Sequence, residues 1–184
     1  MPDRAAGISW IQRIRVPLGF AYAVLFILLA DPVPRFLTAG LLLGLIGLLI
    51  RVWAAGHLRK HRELAVSGPY SLTRNPLYFG SFLLGLGLAA ASSKLWLIVI
   101  FIVLFPAVHL PVMRREEREL EKAYGEAFEG YRRSVPLFFP DVGKSMDPQA
   151  GNFQWRQVIL NREQNAMIGF LIVAGYLIIK MSWR

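Results

Sequence analysis

The sequence predicts an all-α protein of the membrane, a polytopic bundle of about five transmembrane helices. Three observations lead there. Of the 184 residues 55% are hydrophobic, and the mean hydropathy of +0.43 is far too apolar for a soluble domain of this size. The apolar residues gather in long runs separated by short polar segments. The net charge of +9 lies in clusters between those runs, as expected of loops facing a cytoplasmic leaflet, so a nucleic-acid partner is set aside. The absence of cysteine excludes disulfides, thiolate metal sites and a cysteine nucleophile.

In chain order, Met1 to Arg15 carries Arg4, Arg13 and Arg15 against Asp3. A basic start before an apolar run imitates a signal peptide. The Asp31-Pro32-Val33-Pro34 turn, however, lacks a small-residue cleavage pattern, and another apolar run follows at once. Val16 to Ala30 is the first expected span and Phe36 to Ala55 the second, near the ~20 residues a crossing needs. Gly40, Gly44 and Gly47 recur at three- and four-residue spacing in the second span, which permits close helix packing. Arg51, near its end, is expected to snorkel toward the headgroups; pointing into a polar site is the alternative.

His57 to Arg74 is the most basic loop, with Arg59, Lys60, His61, Arg62 and Arg74 against Glu63. Together with the basic N-terminus it is expected on the cytoplasmic side. Leu77 to Ser92 is a short third span, Ser93-Lys94 a tight turn, and Leu95 to Val112 the returning fourth. Pro106 and Pro111 are expected to bend that return. His109, between them, reads as a packed or backbone-bonded residue.

The polar stretch Gly68 to Gly80, GPYSLTRNPLYFG, divides the two apolar halves. Asn75 is a good N-cap residue and Pro76 suits the first helical position. A helix N-terminus there offers free N–H groups and a positive dipole end near Arg74, suited to an anionic group, although a plain loop-to-helix junction accounts for it too. Further on, Met113 to Phe128 (MRREERELEKAYGEAF) is charged and helix-forming. Met113, Glu117, Leu120 and Tyr124 share one face. Glu117 is thus a carboxylate on an apolar stripe and needs a partner, either Arg74 or a ligand with hydroxyl or ammonium donors. Glu116, Glu119 and Glu121 point elsewhere.

Gly125 permits a bend, after which Tyr131 to Pro140 is expected to run extended. Asp141 to Gly151 has linker composition. Asn161 to Asn165 (NREQN) is polar all round and so is expected at or outside the headgroups. Ala166 to Met181 is a short fifth span. With the N-terminus inside, five spans put Lys180 and Arg184 outside, against the positive-inside trend. Trp10, Trp96, Trp155 and Trp183 sit near span ends as interface anchors. Residues 1–140 form one expected unit, and 141–184 a linker with a membrane helix packed on it. No metal-ligand spacing, Walker loop or Ser/His/Asp arrangement appears. Gly85-Leu86-Gly87 lies within a span and is not a dinucleotide fingerprint.

Two segments carry a resemblance. GPYSLTRNPLYFG and REERELEKAYGEAFEGYRRSVPLFFP, separated by one helical hairpin, closely resemble the isoprenylcysteine carboxyl methyltransferase and phospholipid methyltransferase superfamily. The matching positions are Gly68-Pro69-Tyr70, Arg74-Asn75-Pro76, Tyr78, Gly80, Glu116-Glu117, Leu120, Tyr124-Gly125, Tyr131, Val135-Pro136 and Pro140. They span roughly Arg51 to Pro140. Two departures stand out: Asn75 where the prenylcysteine enzymes usually have His, and the extension from Asp141 to Arg184.

The resemblance implies an integral membrane enzyme using S-adenosylmethionine, without the soluble Rossmann-type fold. Its cofactor pocket would be built from the 57–80 loop and the 113–140 segment. Arg74 and Glu117 are then the catalytic candidates. Gly56, Asn75, Pro76, Tyr78, Gly80, Glu116, Glu117 and Leu120 are the cofactor-binding candidates, with no metal. The methionine carboxylate would sit near Asn75 and Tyr78, with Arg74 adding charge. Glu117, with Glu116, would accept from the ribose hydroxyls or the α-ammonium. The acceptor is a lipophilic molecule entering from the bilayer, a carboxylate of isoprenylcysteine type, or else a phospholipid-type amine. A non-enzymatic membrane protein and an NADPH-using, steroid-reductase-like enzyme are the other readings. The location implied is a bacterial inner membrane or the endoplasmic reticulum.

Overall fold

Apolar runs bounded by prolines and small polar turns become helices because lipid leaves the backbone no other partner. The structure, a computed structural model, describes residues 10–59, 63–143 and 152–183, with residues 10–16 as backbone alone. The expected basic residues Arg4, Lys60, His61 and Arg62, the linker residues 144–151 and Arg184 lie outside the described residues. Those described form helix and no strand. The helices are α1 (Trp10–Leu29), α2 (Pro34–His57), α3 (Pro76–Ala91), α4 (Leu95–Tyr124), α5 (Glu126–Ser134), α6 (Trp155–Leu160) and α7 (Glu163–Ser182), with one 3₁₀ turn at Gly68–Ser71.

Every expected span is a helix, and α2, α4 and α7 are long and apolar enough to cross a membrane. The apolar part of α1, Pro17–Leu29, and α3 are shorter. At 1.5 Å per residue the 16-residue α3 reaches about 24 Å, less than a hydrocarbon core of roughly 30 Å.

The closest packing joins α2 to α3. A Cβ built on Gly40 would lie 2.5 Å from Ala91 N and Gly87 O, and one on Gly80 would lie 2.7 Å from Gly47 O. The two backbones therefore touch along a glycine seam, as the spacing in α2 predicts. Association between helices in lipid depends on such contact because the surrounding tails are as apolar as the helices. α7 leans on the same pair: a Cβ on Gly44 would meet the Phe170 ring at 2.8 Å. At the far end the two interhelical turns brace each other. Asp31 N donates to Ser92 O (2.9 Å), Val33 N to Ser93 Oγ (3.0 Å), and Lys94 pairs with Asp31 at 3.0 Å.

The charged stretch after Val112 is helical as expected up to Tyr124: it continues α4 through Pro106 and Pro111, and Gly125, at φ +53°, ends it. One expectation is corrected here. The segment from Tyr131 is not extended until Val135, because Tyr131 to Ser134 complete α5. NREQN, polar all round, is partly packed against the protein. Glu163 opens α7 with 3% of its surface exposed, and Asn161 Nδ2 donates to Ala55 O (3.0 Å) and Leu58 O (3.1 Å), satisfying carbonyls at the end of α2.

Candidate functional site

The polar stretch before α3 is held by the chain after α5. Tyr131 Oη donates to Tyr70 O (2.7 Å), Arg74 N to Pro136 O (2.9 Å), Asn75 Nδ2 to Leu137 O (3.0 Å), Thr73 Oγ1 to Phe138 O (2.9 Å), and Asp141 N to Leu72 O (2.9 Å). These bonds stitch two strap-like segments of irregular backbone together, satisfying groups that an apolar setting would otherwise penalise. Gly68, at φ +56°, sets the chain into the 3₁₀ turn, against whose open side the His57 ring packs.

α3 begins at Pro76, as its sequence predicts. Asn75, however, does not cap it: at φ −129°, ψ 56° its amide turns away and is spent on Leu137. Arg74 Nη2 stands 3.1 Å from Glu117 Oε1, with side chains 11% and 18% exposed. Of the two partners the sequence left open for Glu117, this conformation takes Arg74. Arg74 Nε and Tyr70 Oη are buried without a hydrogen bond, and Glu117 Oε1, buried too, has the ion contact to Arg74 but no hydrogen bond of good geometry. One turn on, Tyr78 Oη donates to Glu116 Oε1 (3.0 Å), and the Tyr78 ring meets the His109 ring edge-on at 5.7 Å. His109 is packed and backbone-bonded: it stacks on Phe105 at 4.0 Å, with Nδ1 2.9 Å from Phe105 O.

Burial, foremost, pushes the Tyr70 and Tyr131 hydroxyls above the ordinary tyrosine range. Arg74 opposes the shift at Tyr131 and Glu117 adds to it; at Tyr70 the charges of Tyr131, Glu163 and Glu116 add to it and Arg51 opposes. Both tyrosines are therefore neutral donors at any physiological pH.

The fold thus brings together Arg74, Asn75, Pro76, Tyr78, Glu116 and Glu117. It gives three other candidates protein neighbours. Gly80 faces Gly47 and Arg51 across the glycine seam. Leu120 packs on the Phe128, Tyr131 and Val135 cluster. Gly56 is covered by the Phe153 ring, whose Cζ would lie 2.9 Å from an added Cβ, and Gly56 O accepts from Gln154 N (3.0 Å).

Sequence reasoning also missed a second polar cluster. Arg51 does not snorkel: Nε and Nη2 donate to Glu163 Oε2 and Oε1, both at 2.9 Å, and Nη1 donates to Ser81 Oγ and to Leu77 O (3.4 Å). Arg51 in an otherwise apolar run was the available signal, since an ionisable residue there tends to find a partner of opposite charge. Two cavities flank the helices. One of about 220 Å³ lies between α1 and α4 and includes Tyr22, Phe105 and His109; the other, of about 390 Å³, lies among α2, α3 and α7.

The groups left unsatisfied suit S-adenosylmethionine. A guanidinium donor (Arg74 Nε) and a hydroxyl (Tyr70 Oη), beside a carboxylate (Glu117) held by its ion contact to Arg74, match a ligand bearing a carboxylate, an ammonium and ribose hydroxyls. Fold and site together define an integral membrane helical protein with a half-buried charge cluster where α3 starts and α4 emerges from its apolar stretch. The chain belongs to the phospholipid methyltransferase family, which matches residues 36–127, and so to the superfamily of integral membrane methyltransferases. It is similar to the cobalt-zinc-cadmium resistance protein CzcN of Cupriavidus metallidurans, 38% identical over 109 residues covering 58% of this chain and 50% of that protein. It is also similar to the nickel-cobalt-cadmium resistance protein NccN of Alcaligenes xylosoxydans xylosoxydans, 36% identical over 106 residues covering 56% and 49%. The chain spans about half the length of these curated relatives. No solved structure matches.

Proposed function

We propose that the protein is an S-adenosylmethionine-dependent methyltransferase of the membrane, acting on a lipophilic acceptor whose reacting group is a carboxylate of the isoprenylcysteine type. The observation that carries this reading is the meeting of Arg74 with Glu117, with Arg74 Nε left without a hydrogen bond, inside the family-matched region. S-adenosylmethionine, when bound, supplies an electrophilic methyl group on a sulfonium centre. Arg74 Nε would hold its carboxylate, and Glu117 would accept from its ammonium or ribose hydroxyls. Tyr78, tied to Glu116, would form the wall next to them. The strap from Val135 to Asp141 fixes Arg74 and Asn75 through their backbone and amide groups, so the site's contribution is alignment and exclusion of water. A carboxylate acceptor needs no general base, in keeping with a site whose Glu117 is paired to Arg74 and whose Glu116 accepts from Tyr78.

The names of the two relatives support a physiological context, resistance to divalent transition metals. We place the chain's contribution in modification of a membrane component. It has no cysteine, and among the described residues no group of three His, Asp or Glu gathers to hold an ion.

The test is calorimetric binding of S-adenosylmethionine to detergent-purified protein, wild type beside Glu117→Gln and Asn75→Ala, with helix content checked for each. About micromolar binding by wild type, weakened about tenfold or more in folded Glu117→Gln, is expected. A folded wild type that binds neither S-adenosylmethionine nor S-adenosylhomocysteine sinks the proposal. So does a Glu117→Gln variant that binds like wild type.

A further inference from the structure

The cavity among α2, α3 and α7 is built as an amphiphile's site. Its long walls are apolar: Leu84 and Leu88 from α3, Phe170 and Val173 from α7. One end carries Arg51 and Ser81. The ion pair there is asymmetric, with Arg51 21% exposed and Glu163 only 4%. Glu163 is absent from the lining, and since Ser81 Oγ donates to Leu77 O (2.7 Å) the cavity is offered the exposed edge of the paired guanidinium and the hydroxyl oxygen, not the carboxylate. A guanidinium edge at the end of an apolar cleft complements a long-chain molecule with an anionic head. Ionisable groups within a membrane span are costly and mark ligand paths when they face a cavity.

A second observation ties this end to the charge cluster. The Tyr70 hydroxyl is buried without a partner, and the charges of Glu163 and Arg51 from one cluster and Glu116 from the other all act on it. Arg51 Nη1 also reaches Leu77 O, next to Tyr78. The polar end of the cleft thus acts on Tyr70, and the Arg74–Glu117 pair on Tyr131, whose hydroxyl donates to Tyr70 O (2.7 Å). α7, which supplies half of the cleft, lies outside the family-matched residues.

We propose that this cleft binds the hydrocarbon chain of a long-chain carboxylate from the bilayer, its head at Arg51 and Ser81. Its role as the acceptor site rests on the methyltransferase reading; binding of the chain does not.

The test uses diazirine-bearing palmitate, photo-crosslinked to the full chain in lipid nanodiscs and mapped by mass spectrometry. Gly169→Leu narrows the cleft with little risk to folding, since a Cβ at Gly169 meets nothing within 4 Å. Gly19→Leu does the same for the cavity between α1 and α4, with equally open space. Expected is labelling concentrated on Leu84, Leu88, Phe170 and Val173, falling about tenfold in Gly169→Leu and unchanged in Gly19→Leu. Labelling spread evenly over lipid-facing helices, insensitive to Gly169→Leu, overturns the proposal, as does a fall in Gly19→Leu alone. Calorimetry with S-adenosylmethionine on the same preparations separates the two readings. Failure of cofactor binding removes the methyltransferase reading and leaves the chain site to be decided by the labelling.

Discussion

Replacing Glu163 with alanine is the sharpest probe of how the C-terminal helix is held. Both Glu163 oxygens accept from Arg51 at 2.9 Å, and the carboxylate is 4% exposed, so the change deletes a bidentate, charge-assisted contact from a nearly dry setting. What remains is a guanidinium one-fifth exposed, still bonded to Ser81 and Leu77 O but without its counter-charge. Stranding a buried charge costs about 3–5 kcal/mol; the partial exposure and surviving bonds put this case near the lower end, about 3 kcal/mol, more than a hundredfold in the folding equilibrium. Replacing both partners by apolar residues, Arg51→Met with Glu163→Leu, removes the charge and its penalty together and is expected within about 1 kcal/mol of wild type. Helix content during titration with a denaturing detergent measures all three. Glu163→Ala unfolding within about 0.5 kcal/mol of wild type, or a double variant as unstable as the single one, refutes the reasoning.

Gly47→Leu should be severe. A Cβ there would lie 2.6 Å from Gly80 O, a backbone atom that cannot step aside, so α2 and α3 must separate at a cost of about 3 kcal/mol or more. Gly175→Leu, facing open space, should stay within about 0.5 kcal/mol, and equal losses in a thermal melt of the two would contradict the seam. Alkaline stability follows from the raised Tyr70 and Tyr131 hydroxyls. The unfolded chain's tyrosines release protons near pH 10 while these two keep theirs, so the folded state binds more protons and stability falls as pH rises from there. The slope is about 1.4 kcal/mol per unit for each. Melts from pH 9 to 12 should show a shallower fall in Tyr131→Phe than in wild type, and parallel falls would remove Tyr131 from the account.

The sequence alone determined what depends on neighbours within a few residues. Apolar run length predicted the helices, Pro76 the start of α3, Gly125 a bend, and the spacing of Gly40, Gly44 and Gly47 the close contact with another helix. The shared face of Met113, Glu117, Leu120 and Tyr124 came from periodicity, and the resemblance of two motif segments led to the family that the match over residues 36–127 establishes. The choice of distant partners belonged to the tertiary structure. Asn75 looked like a cap because its local chemistry suits one, yet the strap placed Leu137 O within its reach, 62 residues on. Gly56 read as room for a ligand and is filled by Phe153, and six-residue α6 was too short to show a period. Arg51 read as a snorkelling cation because headgroups are the nearest anions that local sequence offers. Only folding brings up Glu163, 112 residues away, and at that depth a bidentate carboxylate outcompetes a distant headgroup.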